Sequence, residues 1–169
     1  NLVYIMMIES SNRAARALSE VVGEDTFVAL MNQESQNLGL YNTHFEDSTG
    51  LNKNSYSTVE DLVKLTKHLF FNYSLFREIT SLKEYDLYMI DGSLHHKLIN
   101  TNELLGQDGV IGGKTGYTHE AGGCFMVIQK KSQDTYAVHI ILGAEDRLLE
   151  MYKLIKMMPD NEYQELIGG

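Results

Sequence analysis

Along this 169-residue chain the spacing of apolar residues changes twice. Up to residue 70 they recur every three or four positions within short segments, as in helices that bury one face. Between residues 85 and 142 they come in short, nearly unbroken runs that suit strands, and near residue 150 the helical spacing returns. Helices first, strands afterwards and a closing helix predict an α+β fold with a helical part and an antiparallel sheet, because alternating βα units would interleave the two periods. The length suits one domain, which at this size buries roughly 70% of its extended surface.

Ala14, Ala17, Leu18, Val21 and Val22 form one apolar stripe on a helix that Gly23 closes. Asp25 or Thr26 is placed to cap the next helix, whose Phe27, Leu30, Met31 and Leu38 repeat the pattern up to Gly39. From Leu40 to Tyr56 the periodicity stops in an Asn-, Thr-, Ser- and Gly-rich stretch, which reads as a long ordered loop of the kind that often carries function. Ser57-Thr58-Val59-Glu60 is a capping box, and Val59, Leu62, Val63, Leu69 and Phe70 continue as a helix. Tyr85–Ile90 and Leu94–Ile99 flank Asp91-Gly92, a pair that suits a type I′ hairpin turn. Cys124–Gln129 and Tyr136–Leu142 read as antiparallel strands, the second so apolar that it is expected at the centre of its sheet. Leu148, Met151, Tyr152 and Ile155 predict a last helix, stopped by Pro159. The first residues, Asn1 to Ile8, are an apolar stretch with no initiator Met, N-cap or basic segment. They read as a chain that begins inside an element, any targeting signal lying upstream.

A formal charge of -9 argues against nucleic acid and anionic membrane surfaces as partners. The longest apolar run, Leu2 to Ile8, falls far short of the ~20 residues that cross a bilayer. The single cysteine excludes an internal disulfide and a Cys-rich zinc site; Cys124, opening an apolar run, reads as a small buried hydrophobe. His95 and His96, adjacent in a strand, are expected on opposite faces, where they cannot chelate one ion together. No His-x-x-x-His or carboxylate triad accompanies them, so neither a metal nor a cofactor is expected.

Two polar clusters stand out. Ser10-Ser11-Asn12 opens the first periodic helix, where Ser and Asn serve as caps. Gly112-Gly113-Lys114-Thr115-Gly116-Tyr117-Thr118 leads toward the Cys124 strand; its glycines let another backbone approach, and its Lys and Thr offer charge and donors to a carboxylate. It is not a phosphate loop: the first Gly of Gly-x-x-x-x-Gly-Lys-Thr would fall at residue 108, which is Asp, and a strand is expected to follow where that loop needs a helix.

Ser-x-Asn at a helix start and Lys-Thr-Gly at a strand, about a hundred residues apart, are elements of penicillin-binding proteins and class A β-lactamases. The match extends through Glu9-Ser-Ser-Asn-Arg-Ala-Ala-Arg-Ala-Leu18, Phe27-Val-Ala-Leu-Met-Asn32 with Leu38-Gly39, and Asn42-Thr-His-Phe45. Tyr56-Ser-Thr58 with Asp61-Leu62, Asn100-Thr-Asn-Glu-Leu-Leu-Gly106, and Gly113-Lys-Thr-Gly-Tyr-Thr118 with Ala121-Gly122 continue it. In these segments the chain resembles the serine-type D-Ala-D-Ala carboxypeptidases of bacterial cell walls, the low-molecular-weight penicillin-binding proteins.

That resemblance implies a β-lactamase/transpeptidase-like fold, with residues 1–169 forming part of a D-Ala-D-Ala carboxypeptidase domain. It implies that Ser10 relays a proton to the departing amine and Asn12 bonds the acyl side of the peptide. Lys114 supplies positive potential, Thr115 and Thr118 bond the substrate's terminal carboxylate, and Gly116 leaves room for the peptide along the strand edge. Lys114 is expected to have a depressed pKa in a partly desolvated cleft. Implied partners are peptidoglycan stem peptides ending in D-Ala-D-Ala and, for a longer parent, β-lactams, in an extracytoplasmic setting. One departure stands out: the family's nucleophile lies in Ser-x-x-Lys, and here no Ser has Lys three residues on; Ser10 is followed by Arg13, Ser11 by Ala14, Ser81 by Glu84, and Ser93 has Lys97 four residues away. The chain is therefore expected to lack the nucleophile helix and two N-terminal strands and to be inactive alone. It should expose Met6, Met7, Val138 and Ile140, and either associate into oligomers or take a partner segment into the gap. Alternatives are a non-catalytic binding module, a self-sufficient Ser10–Lys114 pair and a β-lactamase-type hydrolase; the Ser-x-Asn and Asn-Thr-His-Phe context favours the carboxypeptidase.

Overall fold

A computed structural model describes residues 1–157, and their order is helices, strands, helix: α1 (Leu2–Ile8), α2 (Asn12–Ser19), α3 (Glu24–Asn37), α4 (Val59–Asn72), α5 (Ser74–Ser81), β1 (Glu84–Tyr88), β2 (Leu94–Ile99), β3 (Val110–Thr118), β4 (Gly122–Lys130), β5 (Tyr136–Ala144) and α6 (Arg147–Met157). β1 and β2 form a hairpin of their own, and β3, β4 and β5 form an antiparallel sheet in that spatial order. Two apolar clusters hold these parts. Leu104, Leu105, Val110, Phe125, Val127, Met151 and Ile155 join the sheet to α6, and Ile8, Ile79, Leu87 and Leu98 join α1 and α5 to the hairpin. Each such buried side chain contributes about 1.5–3 kcal/mol relative to exposure. Gly112 meets Thr80 of α5 while its neighbour Gly113 meets Asn102, so α5 and the 100–106 segment lie against opposite faces of β3.

Several sequence expectations are corrected. α2 stops at Ser19, and Val21 and Val22 are 80% and 50% exposed; Gly23, with φ 89°, heads α3 in place of Asp25 or Thr26. Ala17 of the expected stripe is exposed as well; the buried residues of α2 are Ala14, Ala15 and Ser19. Leu30 of α3 is 51% exposed, and Ser35 takes the buried position. Thr58 rather than Ser57 caps α4, accepting from Asp61 N–H at 3.3 Å, because the Ser57 hydroxyl is engaged by Thr43 at 2.8 Å. The sequence reading contains no α5; its eight residues are too few for a clear period. The β1–β2 connection is not type I′: Gly92 has φ 83° but Asp91 stays out of the left-handed region, and Met89 N–H closes a longer loop onto Ser93 C=O at 2.8 Å. Gly112–Thr118 is itself strand β3 rather than a turn leading into one.

The sheet centre is β4, and β5 pairs with β4 alone among the described residues. The apolar run of β5 is covered from its faces, Phe70 of α4 stacking on Tyr136 at 4.9 Å between ring centroids and Ile141 packing in the α6 cluster. Burial on the faces does not require a second strand neighbour. Met6, Met7, Val138 and Ile140, expected to be exposed, are each half-buried, Met7 in the hairpin cluster. α6 runs to Met157, and the expected stop at Pro159 lies outside the described residues. No helix of the described residues is long and apolar enough to cross a membrane.

Candidate functional site

Ser10 joins α1 to α2 with φ 58°, a left-handed conformation that a non-glycine residue keeps only where its surroundings impose it. Ser11 takes the capping role, its Oγ accepting from Ala14 N–H at 3.3 Å. The paired serines thus divide the work: one hydroxyl serves the helix and the other faces β3.

β3 is an edge strand in which Lys114 opposes Met126 and Gly116 opposes Cys124. Lys114 Nζ donates to Ser10 Oγ at 2.5 Å and to Thr115 C=O at 2.8 Å. Burial, and then the like charge of Arg147, push the Lys114 pKa down to about 8. Near neutral pH the amine therefore remains mostly an ammonium. Because it occupies a Ser10 lone pair, the Ser10 proton is left to point elsewhere.

One residue holds this contact together. Thr101 N–H donates to Ile8 C=O at 3.1 Å, and Thr101 Oγ1 shares a hydrogen bond with Thr115 Oγ1 at 2.6 Å. The end of α1 and the middle of β3 are thereby tied to the same peptide unit. Next to it, Asn102 is 2% exposed and fits only because residue 113 lacks a Cβ, which would come within 2.8 Å of Asn102 Nδ2 and press on Met126 C=O.

Ser10, Asn12, Lys114, Thr115, Gly116 and Thr118 all line one cleft of about 490 Å³. Thr115 is nearly buried with its hydroxyl already engaged by Thr101, whereas Thr118 Oγ1 accepts from Ala121 N–H at 3.0 Å and keeps its proton to donate. Sequence reasoning missed Arg147, Thr101 and the Thr49–Leu51 wall of the same cleft. Arg147 Nη1 donates to Gly116 C=O at 2.8 Å, and nothing in its local sequence signals this, since it opens a helix 31 residues away. The Thr49–Leu51 wall had a signal in the aperiodic loop. Asp47 accepts there from Gly50 N–H at 2.7 Å, Leu51 N–H at 3.1 Å, Asn52 N–H at 3.0 Å and the Thr49 hydroxyl at 2.8 Å. Burial pulls the Asp47 pKa up, but these donors outweigh it and hold the carboxyl below its usual range. Glu24 anchors the same loop to α3 by accepting from Ser48 N–H and Ser48 Oγ, both at 2.9 Å.

Two further expectations are corrected. Cys124 is half-buried and lines the cleft, because its strand face is the one that carries Lys114 and Gly116. A register shift between Leu87 and Tyr88 leaves His95 as a bulge, so His95 and His96 lie on one side with their Nδ1 atoms 2.5 Å apart. Among the described residues, no group of three or more His, Cys, Asp or Glu side chains is placed to hold a metal ion.

A helical layer on an antiparallel sheet, with a lysine on its edge strand bonded to a serine at a helix start, defines the penicillin-binding protein and DD-transpeptidase type of structure. Over 92% of the chain the fold matches penicillin-binding protein D2 from Listeria monocytogenes, solved with cefotaxime bound, at TM-score 0.80 and 31% identity, covering 64% of that protein. It matches a Streptomyces DD-transpeptidase at TM-score 0.79 and 29% identity, over 93% of this chain and 67% of that one. Residues 1–146 match the D-alanyl-D-alanine carboxypeptidase family, and the chain belongs to it. A D-alanyl-D-alanine endopeptidase of Haemophilus influenzae is 35% identical over 76% of the chain, and the D-alanyl-D-alanine carboxypeptidase DacF of Bacillus subtilis is 34% identical over 89%. The chain spans 44% and 39% of those two relatives, less than half of their length.

Proposed function

We propose that residues 1–169 are part of a serine-type D-Ala-D-Ala carboxypeptidase domain and carry its substrate-gripping and proton-relaying half. The observation that carries this reading is the Lys114 Nζ–Ser10 Oγ contact at 2.5 Å. A peptide ending in D-Ala-D-Ala lies along the β3 edge as an added strand. Its terminal carboxylate meets the ammonium of Lys114, the guanidinium of Arg147 and the free hydroxyl proton of Thr118, with Thr115 on the same side. Asn12 bonds the acyl side of the peptide, and Ser10, held by Lys114, hands its proton to the departing amine. Family membership and the β-lactam-bound neighbour support peptidoglycan stem peptides and β-lactams as ligands, and a cell-wall, extracytoplasmic setting.

No serine among the 169 residues has Lys three positions on, so the acylated nucleophile is not one of them and the chain alone is inert. Fluorescent β-lactam labelling followed by intact-mass measurement tests this. The expected result is no covalent adduct, alongside saturable, non-covalent binding of diacetyl-L-Lys-D-Ala-D-Ala that disappears when its terminal carboxylate is amidated. A second reading rests on the same contact: a Ser10–Lys114 pair acting as nucleophile and base, the Lys114 pKa of about 8 suiting a base. A stoichiometric adduct that vanishes in Ser10→Ala would replace the first reading with this one.

A further inference from the structure

The Thr49–Leu51 wall of the cleft is held by hydrogen bonds of different reach. The donors that Asp47 gathers, from Thr49, Gly50, Leu51 and Asn52, all lie within residues 47–52, so they fix the shape of this segment and leave its place in the molecule open. Among the described residues, the hydrogen bonds that tie the segment to the helices all end on Ser48. Glu24 Oε1 accepts from Ser48 N–H at 2.9 Å, and Glu24 Oε2 accepts from Ser48 Oγ at 2.9 Å and from Ser19 Oγ. Ser19 is fully buried at the end of α2, and its hydroxyl lies 3.2 Å from Ser48 Oγ.

Bonds from hydroxyl and amide donors to a carboxylate are stronger than neutral ones, and a carboxylate in the first turn of α3 is further favoured by the free N–H groups of that helix end. Glu24 itself does not line the cleft. At its base the loop is closed by His44 and Tyr56, which exchange N–H to C=O bonds of 2.9 Å in both directions. A segment that is stiff inside, closed at its base and tied to the helices at one residue swings as a unit when that tie is cut. We propose that Glu24 is a positioning residue for the cleft: through Ser48 it sets where the Thr49–Leu51 wall stands relative to β3, and so how firmly a strand-like peptide is held, without touching the peptide. The inference rests on the cleft reading above. Gln at position 24 keeps an acceptor for Ser48 N–H and brings an amide that donates to a serine hydroxyl, whereas Ala offers neither.

The test uses the whole chain, with amide hydrogen exchange and titration of diacetyl-L-Lys-D-Ala-D-Ala both read by NMR. The temperature is kept well below the unfolding of every variant, where a loss of stability alone leaves affinity unmoved. In Glu24→Ala the Ser48 amide should exchange faster while Gly50, Leu51 and Asn52 keep their protection, and the peptide should bind about fivefold more weakly. Glu24→Gln should restore both. In a Leu51→Ala background, which takes the largest side chain of the wall out of the cleft, Glu24→Ala should cost no further affinity. Unchanged affinity in Glu24→Ala, a loss undiminished by Leu51→Ala, or a Glu24→Gln chain that behaves like Glu24→Ala overturns the positioning role and leaves the cleft reading intact. Faster exchange of Gly50, Leu51 and Asn52 together with Ser48 overturns it too, since Glu24 would then hold the shape of the loop and not its place. Failure of the native chain to bind the peptide removes the cleft reading, and the positioning role with it.

Discussion

Lys114 Nζ and Ser10 Oγ, 104 residues apart in sequence, are 2.5 Å apart in the fold. The contact places an ammonium with a pKa of about 8 inside a cleft, where an unfolded chain would hold it at 10.5. Between those values the unfolded state binds more protons than the folded one, so this group makes stability rise with pH across the window. At 1.36 kcal/mol per pH unit the full effect is about 3 kcal/mol. Subtracting the unfolding free energy of Lys114→Met from that of the native sequence should therefore give a difference that grows from pH 7 to 10.5. A difference that is flat with pH would mean that the amine is not desolvated. Carboxylate-ligand binding moves the other way and weakens as pH rises past about 8.

Thr101 is bonded at once to Ile8 and to Thr115. Thr101→Val keeps the backbone bond and the shape but leaves the buried Thr115 hydroxyl without its partner. Urea unfolding should show a loss of about 1–2 kcal/mol with an unchanged m-value, and peptide affinity should fall with it.

Gly113 lies in strand β3 with no room for a side chain. Gly113→Ala forces a Cβ against Met126 C=O of the neighbouring strand and against the buried Asn102. The expected cost is about 2–3 kcal/mol, against a few tenths for an alanine at the open Gly116, whose nearest contact is Cys124 Cβ at 3.6 Å. Equal thermal shifts for the two variants would contradict this account of β3 packing.

The outer edge of β5 has no strand partner among the described residues. An unpaired apolar edge invites pairing with another copy. Light scattering at about 100 μM is expected to find dimers or larger species, and Leu142→Lys, a charge on that strand, should return the chain to monomer. A native chain that scatters as a monomer at that concentration argues against self-association through β5.

Periodicity alone was enough to separate the helical part, the hairpin, the β4–β5 pair and the last helix, because each buries one face of a regular element and that need is written locally. Ser10, Asn12 and the Lys114–Thr118 segment stood out as polar clusters, and their roles were implied by the resemblance to the carboxypeptidase family, not by periodicity. Helix ends were not legible: which of several adjacent hydroxyls caps a helix, Thr58 over Ser57 or Ser11 over Ser10, depends on what the others meet in space. The same holds for β5, whose apolar run reports burial of its faces and is silent about its neighbours. Arg147, Thr101 and the tie from Glu24 to Ser48 emerged only when distant segments were brought side by side. A pKa near 8 at Lys114 has the same origin, since desolvation and the approach of Arg147 are properties of the folded cleft and belong to no stretch of sequence.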